Sequence, residues 1–453
     1  MTATEAAPIQ LSDAEHSRQL RRAVIASTIG SAIDGYDFLL YVQMAPLVFA
    51  KLFFPQSDPL VGTLQAFGIY AVGFIARPVG AAIFGHFGDR IGRKATLIVT
   101  LILMGLSTFF VALVPGYATI GIWGAIILTF LRFLQGVGLG GEWGGATLIA
   151  MEWAKSNAHR GFITSWPQWG GPAGLFFANL AVLAVSTLSG DHFLTWGWRI
   201  PFFLSLLLVG VGLYIRLSIF ETPVFSSLVA QNRVERAPAI EVFRRYPKQI
   251  ALTALCRMAE QGPFYIYAAF VFTYGIGVLH ASRNFILTAV LAAAFLSLVT
   301  TPVAGHLSDV IGRKRWYLIG AVATGIFAFV YFAMMNTALP ALMFVAIVLS
   351  FVPHDMMWGS QAALISECFP VRLRYSGSSI GFHLASIIAG GPAPLIATAL
   401  FVATGSGYVI AFYIFLCAVV SVVATAFLPD YTNRDISHEH DVPQAAAQAA
   451  TTS

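Results

Sequence analysis

The chain alternates between long apolar stretches and short polar breaks, at a spacing set by the thickness of a bilayer. Twelve stretches are long enough, at about 1.5 Å per helical residue, to cross a hydrocarbon core about 30 Å thick. They run over 23–50, 60–87, 95–114, 120–151, 162–186, 197–219, 248–276, 284–306, 316–336, 339–367, 376–402 and 407–428. Polar residues fall between the stretches and do not alternate with apolar ones inside them, which excludes the strands of an outer-membrane barrel. The pattern predicts an all-α integral membrane protein with twelve transmembrane helices.

One polar break occurs twice. Gly85-His86-Phe87-Gly88-Asp89-Arg90-Ile91-Gly92-Arg93-Lys94 returns 220 positions later as Gly305-His306-Leu307-Ser308-Asp309-Val310-Ile311-Gly312-Arg313-Lys314. A turn repeated at half the chain length predicts a duplicated bundle, with two pseudo-symmetric six-helix halves at 23–219 and 248–428. An N-terminal segment, 1–22, precedes them. A polar, basic connector, 220–247, with Pro223, Pro238 and Pro247, joins them. The tail, 429–453, is rich in Ala, Gln, Ser and Thr and is expected to be disordered.

Composition agrees with a membrane chain: 57% of the 453 residues are apolar and 10% charged, against about a quarter charged in soluble domains. Charge placement adds an orientation. Of the 26 Lys and Arg, 20 fall on the side of the repeated turns and three (Lys51, Arg199, Arg283) on the other, while Arg77, Arg132 and Arg257 lie inside spans. The bias places both termini in the cytoplasm. It also accounts for the net charge of +5, with no nucleic-acid partner implied. Cys256, Cys368 and Cys417 form neither a disulfide framework nor a metal spacing. The absence of HExxH and phosphate-loop patterns argues against a membrane enzyme. A non-transporting receptor would carry a large cytoplasmic output segment, and the buried charges are too mixed in sign for the ring of a channel. No cofactor or metal is implied.

In the repeated turn, Gly85 and Gly305 let a neighbouring helix come close. Asp89 and Asp309 can cap a helix end, where the dipole favours a carboxylate. Glu152 and Glu367, at the ends of spans four and ten, look like latch partners for Arg93 and Arg313. These eight residues form the expected conformational gate.

The repeated turn resembles the signature of the major facilitator superfamily. Further matches are Asp34-Gly35-Tyr36-Asp37-Phe38, Arg77-Pro78-Val79-Gly80, the run Arg132-Phe133-Leu134-Gln135-Gly136-Val137-Gly138-Leu139-Gly140-Gly141-Glu142-Trp143, Gly197-Trp198-Arg199-Ile200-Pro201-Phe202 and Glu221-Thr222-Pro223-Val224-Phe225. Together these resemble the metabolite:H⁺ symporter group, which carries shikimate, oxoglutarate, citrate, proline and betaine. The resemblance implies a monomeric, multi-pass transporter of the bacterial inner membrane, driven by the proton gradient, that takes up a small organic anion with H⁺. Proline or betaine, and inorganic phosphate, are the alternative substrates.

A charge in hydrocarbon costs at least about 2.5–3.5 kcal/mol, so deep ionisable groups mark a polar interior. Asp34 and Asp37 share one helix face and cannot both stay ionised in low dielectric, which suits a proton carrier. By resemblance to sugar and phosphate symporters, Asp37 matches the proton-coupling aspartate and Arg132 its partner in span four. The alternative is that the same pair forms a fixed bridge between two helices. Arg77 could bind an anion or pair with Glu142, and Glu142 could be a proton-linked acid or a local bridge. Arg257 and Glu260 sit three apart as a self-neutralising pair, and the same face carries Phe264 and Tyr267. Asp355 and Trp358 form the second-half counterpart. Trp169 joins Arg77, Arg132, Arg257, Glu260, Tyr267, Asp355 and Trp358 as an expected substrate contact.

Overall fold

A computed structural model describes residues 13–154, 159–217 and 238–434. Most of the N-terminal segment, the first eighteen residues of the connector and all but the start of the tail lie outside the described residues. Within them the chain is all helix. Eleven helices are long and apolar enough to cross a membrane. The first begins at Asp13 and continues through a π-turn at Ala45–Phe49. It therefore takes in ten residues that composition assigned to the N-terminal segment.

Span seven is the exception. It was expected as one stretch and is instead Pro247–Cys256, Met258–Tyr265 and two π-turns, Ile266–Phe270 and Thr273–Val278. The helix breaks at Arg257, whose backbone has ψ near 0°. Pro263, with no N–H and a ring that crowds the carbonyl of Ala259, removes a further helical bond inside the second piece. In an apolar solvent the freed groups need partners. Tyr317 Oη donates to Cys256 O at 2.9 Å, Ser421 Oγ donates to the same carbonyl at 2.6 Å, and the Ala259 N–H donates to Ser421 Oγ at 2.7 Å.

The repeated turn is tighter than a loop. Spans two and three, Pro59–Ile91 and Arg93–Val111, are separated by Gly92 alone, and spans eight and nine, Arg283–Ile311 and Arg313–Met335, by Gly312 alone. Both glycines have φ above +100°, a region closed to most L-residues. Span four, Trp123–Glu152, presses its glycine row on span two: a Cβ on Gly140 would lie 2.0 Å from Arg77 O, and one on Gly136 2.0 Å from Gly73 O. This backbone contact holds Arg77 in the centre of the molecule.

Candidate functional site

A cavity of about 110 Å³ lies at mid-depth between spans of both halves. Of the expected residues, Asp34, Arg77, Glu142, Arg257, Glu260, Asp355 and Trp358 line it; Asp37, Arg132, Trp169 and Tyr267 do not. Toward the repeated turns it is closed by Trp143 of span four stacked on Phe382 of span eleven, ring centroids 3.7 Å apart. Toward the opposite face Tyr265 of span seven packs edge-on against Tyr70 and Phe74 of span two, at 5.9 and 4.8 Å. Beyond that aromatic layer a cleft of about 530 Å³, lined by Leu47, Lys51, Thr273 and Arg283, opens on the face away from the repeated turns.

The first-half charges meet on one of the twenty cations counted on the side of the repeated turns. Arg216, at the end of span six, is 2% exposed; it donates to Asp34 Oδ2 at 3.0 Å and makes a second ion pair with Glu142. Glu142 also accepts from the Thr100 hydroxyl at 3.3 Å. The long Arg side chain reaches inward from a helix end, and Gly30 leaves the room: a Cβ there would sit 2.6 Å from Arg216 Nη2. One signal was present in the sequence. Five deep acids (Asp34, Asp37, Glu142, Glu260, Asp355) faced three deep arginines, so further buried cations were needed.

With Glu142 engaged by Arg216, Arg77 has no carboxylate partner among the described residues. Its guanidinium donates to Tyr265 Oη at 3.3 Å and to Ser386 Oγ at 3.5 Å, and lies 4.0 Å from the rings of Phe38 and Phe74. It is 4% exposed and faces the cavity.

Asp37 and Arg132 do not pair in this structure. Arg132 sits against Phe38, Tyr41 and Tyr70, at 3.6, 4.6 and 4.7 Å, and donates to Gln135 Oε1 at 2.9 Å. Asp37 lies toward Gly105 of span three, with Ser205 and Thr108 as polar neighbours. No ion pair reaches it among the described residues.

In the second half, Arg257 Nη2 donates to Glu260 Oε2 at 2.7 Å, and Arg257 Nε donates to Gln361 Oε1 at 3.0 Å. Asp355 lies on the cavity with one oxygen 3.0 Å from His354 Nδ1. Trp358 Nε1 donates to Gln168 O of span five at 2.6 Å. His354 was missed because a lone mid-span histidine carries no pattern. Tyr267 and Trp169 are corrections. The lining arc of span seven passes through Arg257, Glu260, Phe264 and Tyr265, and at about 100° per residue Tyr267 falls just outside it. Its ring packs on Tyr331 at 4.8 Å. Trp169 turns to span eight, donating to Leu298 O at 2.9 Å.

The repeated turns reach across the molecule. Asp89 accepts from the N–H and hydroxyl of Ser376, at the start of span eleven, at 3.1 and 2.8 Å. Asp309 accepts from the N–H groups of Gly161 and Phe162, at the start of span five, at 2.9 and 2.8 Å. Each carboxylate thus sits on the positive end of a helix in the other half. Arg93 lies 3.3 Å from Glu152, and Arg313 lies 3.3 Å from Glu367. Arg160 adds a pair across the halves, 3.3 Å from Glu367. Gly85 and Gly305 are the contact points: a Cβ on either would come within 3.1 Å of Ser376 Cα or 2.4 Å of Ser165 Cβ.

Residues 23–255 match the sugar (and other) transporter family, and residues 264–448 the major facilitator superfamily. An inner membrane metabolite transport protein of Escherichia coli is 39% identical over 91% of this chain and 94% of its own length. The chain belongs to the major facilitator superfamily. A shikimate transporter of the same organism is 37% identical over 90% of this chain and 94% of its own, and its proline/betaine transporter 32% identical over 92% and 85%. Among solved structures, a proton:xylose symporter superposes with a TM-score of 0.72 over 93% of this chain and 98% of its own, at 17% identity. That likeness shows the fold, a twelve-helix facilitator bundle. The chain is a multi-pass membrane transporter and not an enzyme.

Proposed function

We propose that this facilitator takes up a small organic anion together with protons, by alternating access, with the repeated turns and both termini on the cytoplasmic side of the inner membrane. The observation that carries the reading is Arg77, a permanent cation on the cavity wall whose described partners are two hydroxyls and two aromatic faces. A planar guanidinium with unused donors matches a carboxylate. The surrounding rings suit an organic body, which ranks inorganic phosphate lower. The names of the shikimate and metabolite transporters fit the same reading.

Asp37, with no cation on it, is the acid we assign to proton coupling, with Asp34 and Glu142 sharing Arg216 nearby. Arg132, free of a carboxylate, is available to Asp37 in another conformation. The two bundles rock about the cavity. In the state described here the Asp89, Asp309 and Arg160 contacts hold the cytoplasmic side shut, and the functional unit is a single chain. A second reading, a proline or betaine carrier, is favoured by the aromatic walls and by the proline/betaine relative.

The test is uptake into proteoliposomes under an inward proton gradient, with shikimate, proline, betaine and phosphate offered separately. Protonophore-sensitive uptake of the acid supports the proposal. Uptake of betaine alone would move recognition from Arg77 to the aromatic rings.

A further inference from the structure

His354 plays no part in that reading, yet it faces the cavity from span ten between two carboxylates. Its Nδ1 lies 3.0 Å from Asp355 Oδ1 and its Nε2 lies 3.5 Å from Glu260 Oε1. The ring is held between Phe264 and Trp358, at 4.8 and 5.8 Å with interplanar angles of 28° and 22°. Each carboxylate is anchored by its other oxygen: Glu260 by Arg257 at 2.7 Å, and Asp355 by the hydroxyl of Thr300 in span eight.

An imidazole with a carboxylate at each nitrogen needs two N–H groups, and the neutral ring has one. With Nδ1–H donated to Asp355, the Nε2 lone pair faces the lone pairs of Glu260 with no hydrogen between them. A second proton fills that gap. The charges lead to the same place. Arg257, Glu260 and Asp355 sum to one negative charge in a buried site, and one proton on the ring neutralises it. The aromatic sandwich would also favour a cationic ring.

We propose that His354, clamped between Glu260 and Asp355, is a proton-carrying site in the second half, loaded and emptied through the cavity. A proton from cavity water adds to the Nε2 lone pair, the new N–H donates to Glu260, and no heavy-atom bond forms or breaks. Release is the reverse step into water on the other side. Arg257 and Glu260 from span seven, Thr300 from span eight, Asp355 from span ten and His383 from span eleven set the field around the ring. The inference rests on the proton-coupled reading above.

The first test needs no solute. Infrared difference spectra of the full chain in liposomes are recorded while pH is stepped through neutrality. The expected result is a titrating imidazole band that disappears in His354→Gln and moves in Asp355→Asn, a variant that keeps the side-chain shape. An identical band in wild type and His354→Gln would overturn the inference. The second test counts protons taken up per shikimate. His354→Gln should lose one proton per solute while still exchanging shikimate across the membrane; an unchanged ratio counts against the proposal. Wild-type shikimate uptake without protons would instead sink the proton-coupled reading, leaving the infrared result to decide His354 alone.

Discussion

Both halves bury two carboxylates beside the cavity, and each supplies a different cation. In the first half, Asp34 and Glu142 share Arg216, a permanent charge drawn in from the end of span six. In the second, Glu260 and Asp355 share His354, a ring that can lose its charge, while Arg257 takes the far oxygen of Glu260. A guanidinium keeps its charge across the physiological pH range, whereas an imidazole can gain or lose one within it. The duplication thus kept the frame of the bundle and let the chemistry of its halves diverge. Arg77 marks the same divergence: the first half offers the cavity a cation without a carboxylate, and the second offers none.

The largest expected effect tests that division. Arg216→Met leaves Asp34 and Glu142 facing each other without a counter-charge. Removing one partner of a buried pair costs about 3–5 kcal/mol, so the midpoint of thermal unfolding in detergent should fall sharply. Adding Glu142→Gln should recover part of the loss. Arg257→Met should cost less, because Glu260 keeps His354. Equal losses would mean that both clusters are structural and that the contrast between the halves is wrong.

Next in size is the unmatched cation. Arg77→Gln removes a charge-assisted bond worth about 1.5–3 kcal/mol, which is roughly ten- to hundredfold in affinity. Equilibrium binding of the transported anion should weaken by that factor while the unfolding midpoint stays close to wild type. A large stability loss with unchanged affinity would place Arg77 in the frame instead of the site.

These effects separate what the sequence made legible from what it hid. The repeated turn disclosed the duplication, the carboxylates that reach the other half and the arginines beside them, because a ten-residue pattern survives in the chain itself. Arg77, Glu260 and Asp355 were legible because charge inside an apolar stretch is conspicuous. Arg216 was hidden by its place at a span end, where an arginine ordinarily meets lipid headgroups; only the neighbouring Gly30 lets it turn inward. His354 was hidden because one histidine among apolar residues has no period. Tyr267 and Trp169 were misplaced because a shared helix face does not fix which neighbour a ring meets: Tyr267 falls just outside the lining arc of span seven and packs on Tyr331, and Trp169 of span five turns to span eight.

Where the halves are alike, the effects should be smaller and nearly matched. Asp309→Ala strips a cap from two N–H groups of span five, and Asp89→Ala strips one N–H and one hydroxyl of span eleven. A cap is worth about 0.5–2 kcal/mol. Either change should raise the labelling rate of a cysteine placed at Ser165, beside Gly305, by several-fold from the side of the repeated turns. If only Asp309→Ala does so, the latch is one-sided and the pseudo-symmetry does not extend to the gate.

The smallest effect probes the point where the second half reaches over to the cation of the first. Tyr265 Oη accepts from Arg77 at 3.3 Å. Its own hydrogen is therefore free to turn into the cavity and donate to a bound carboxylate. Tyr265→Phe keeps the edge-on contacts with Tyr70 and Phe74 and removes that donor together with the oxygen that accepts from Arg77. A neutral hydrogen bond contributes about 0.5–1.5 kcal/mol, so anion affinity should fall about two- to tenfold, less than for Arg77→Gln. Tighter binding in Tyr265→Phe would show instead that the hydroxyl competes with the anion for Arg77, and recognition would then belong to the first half alone.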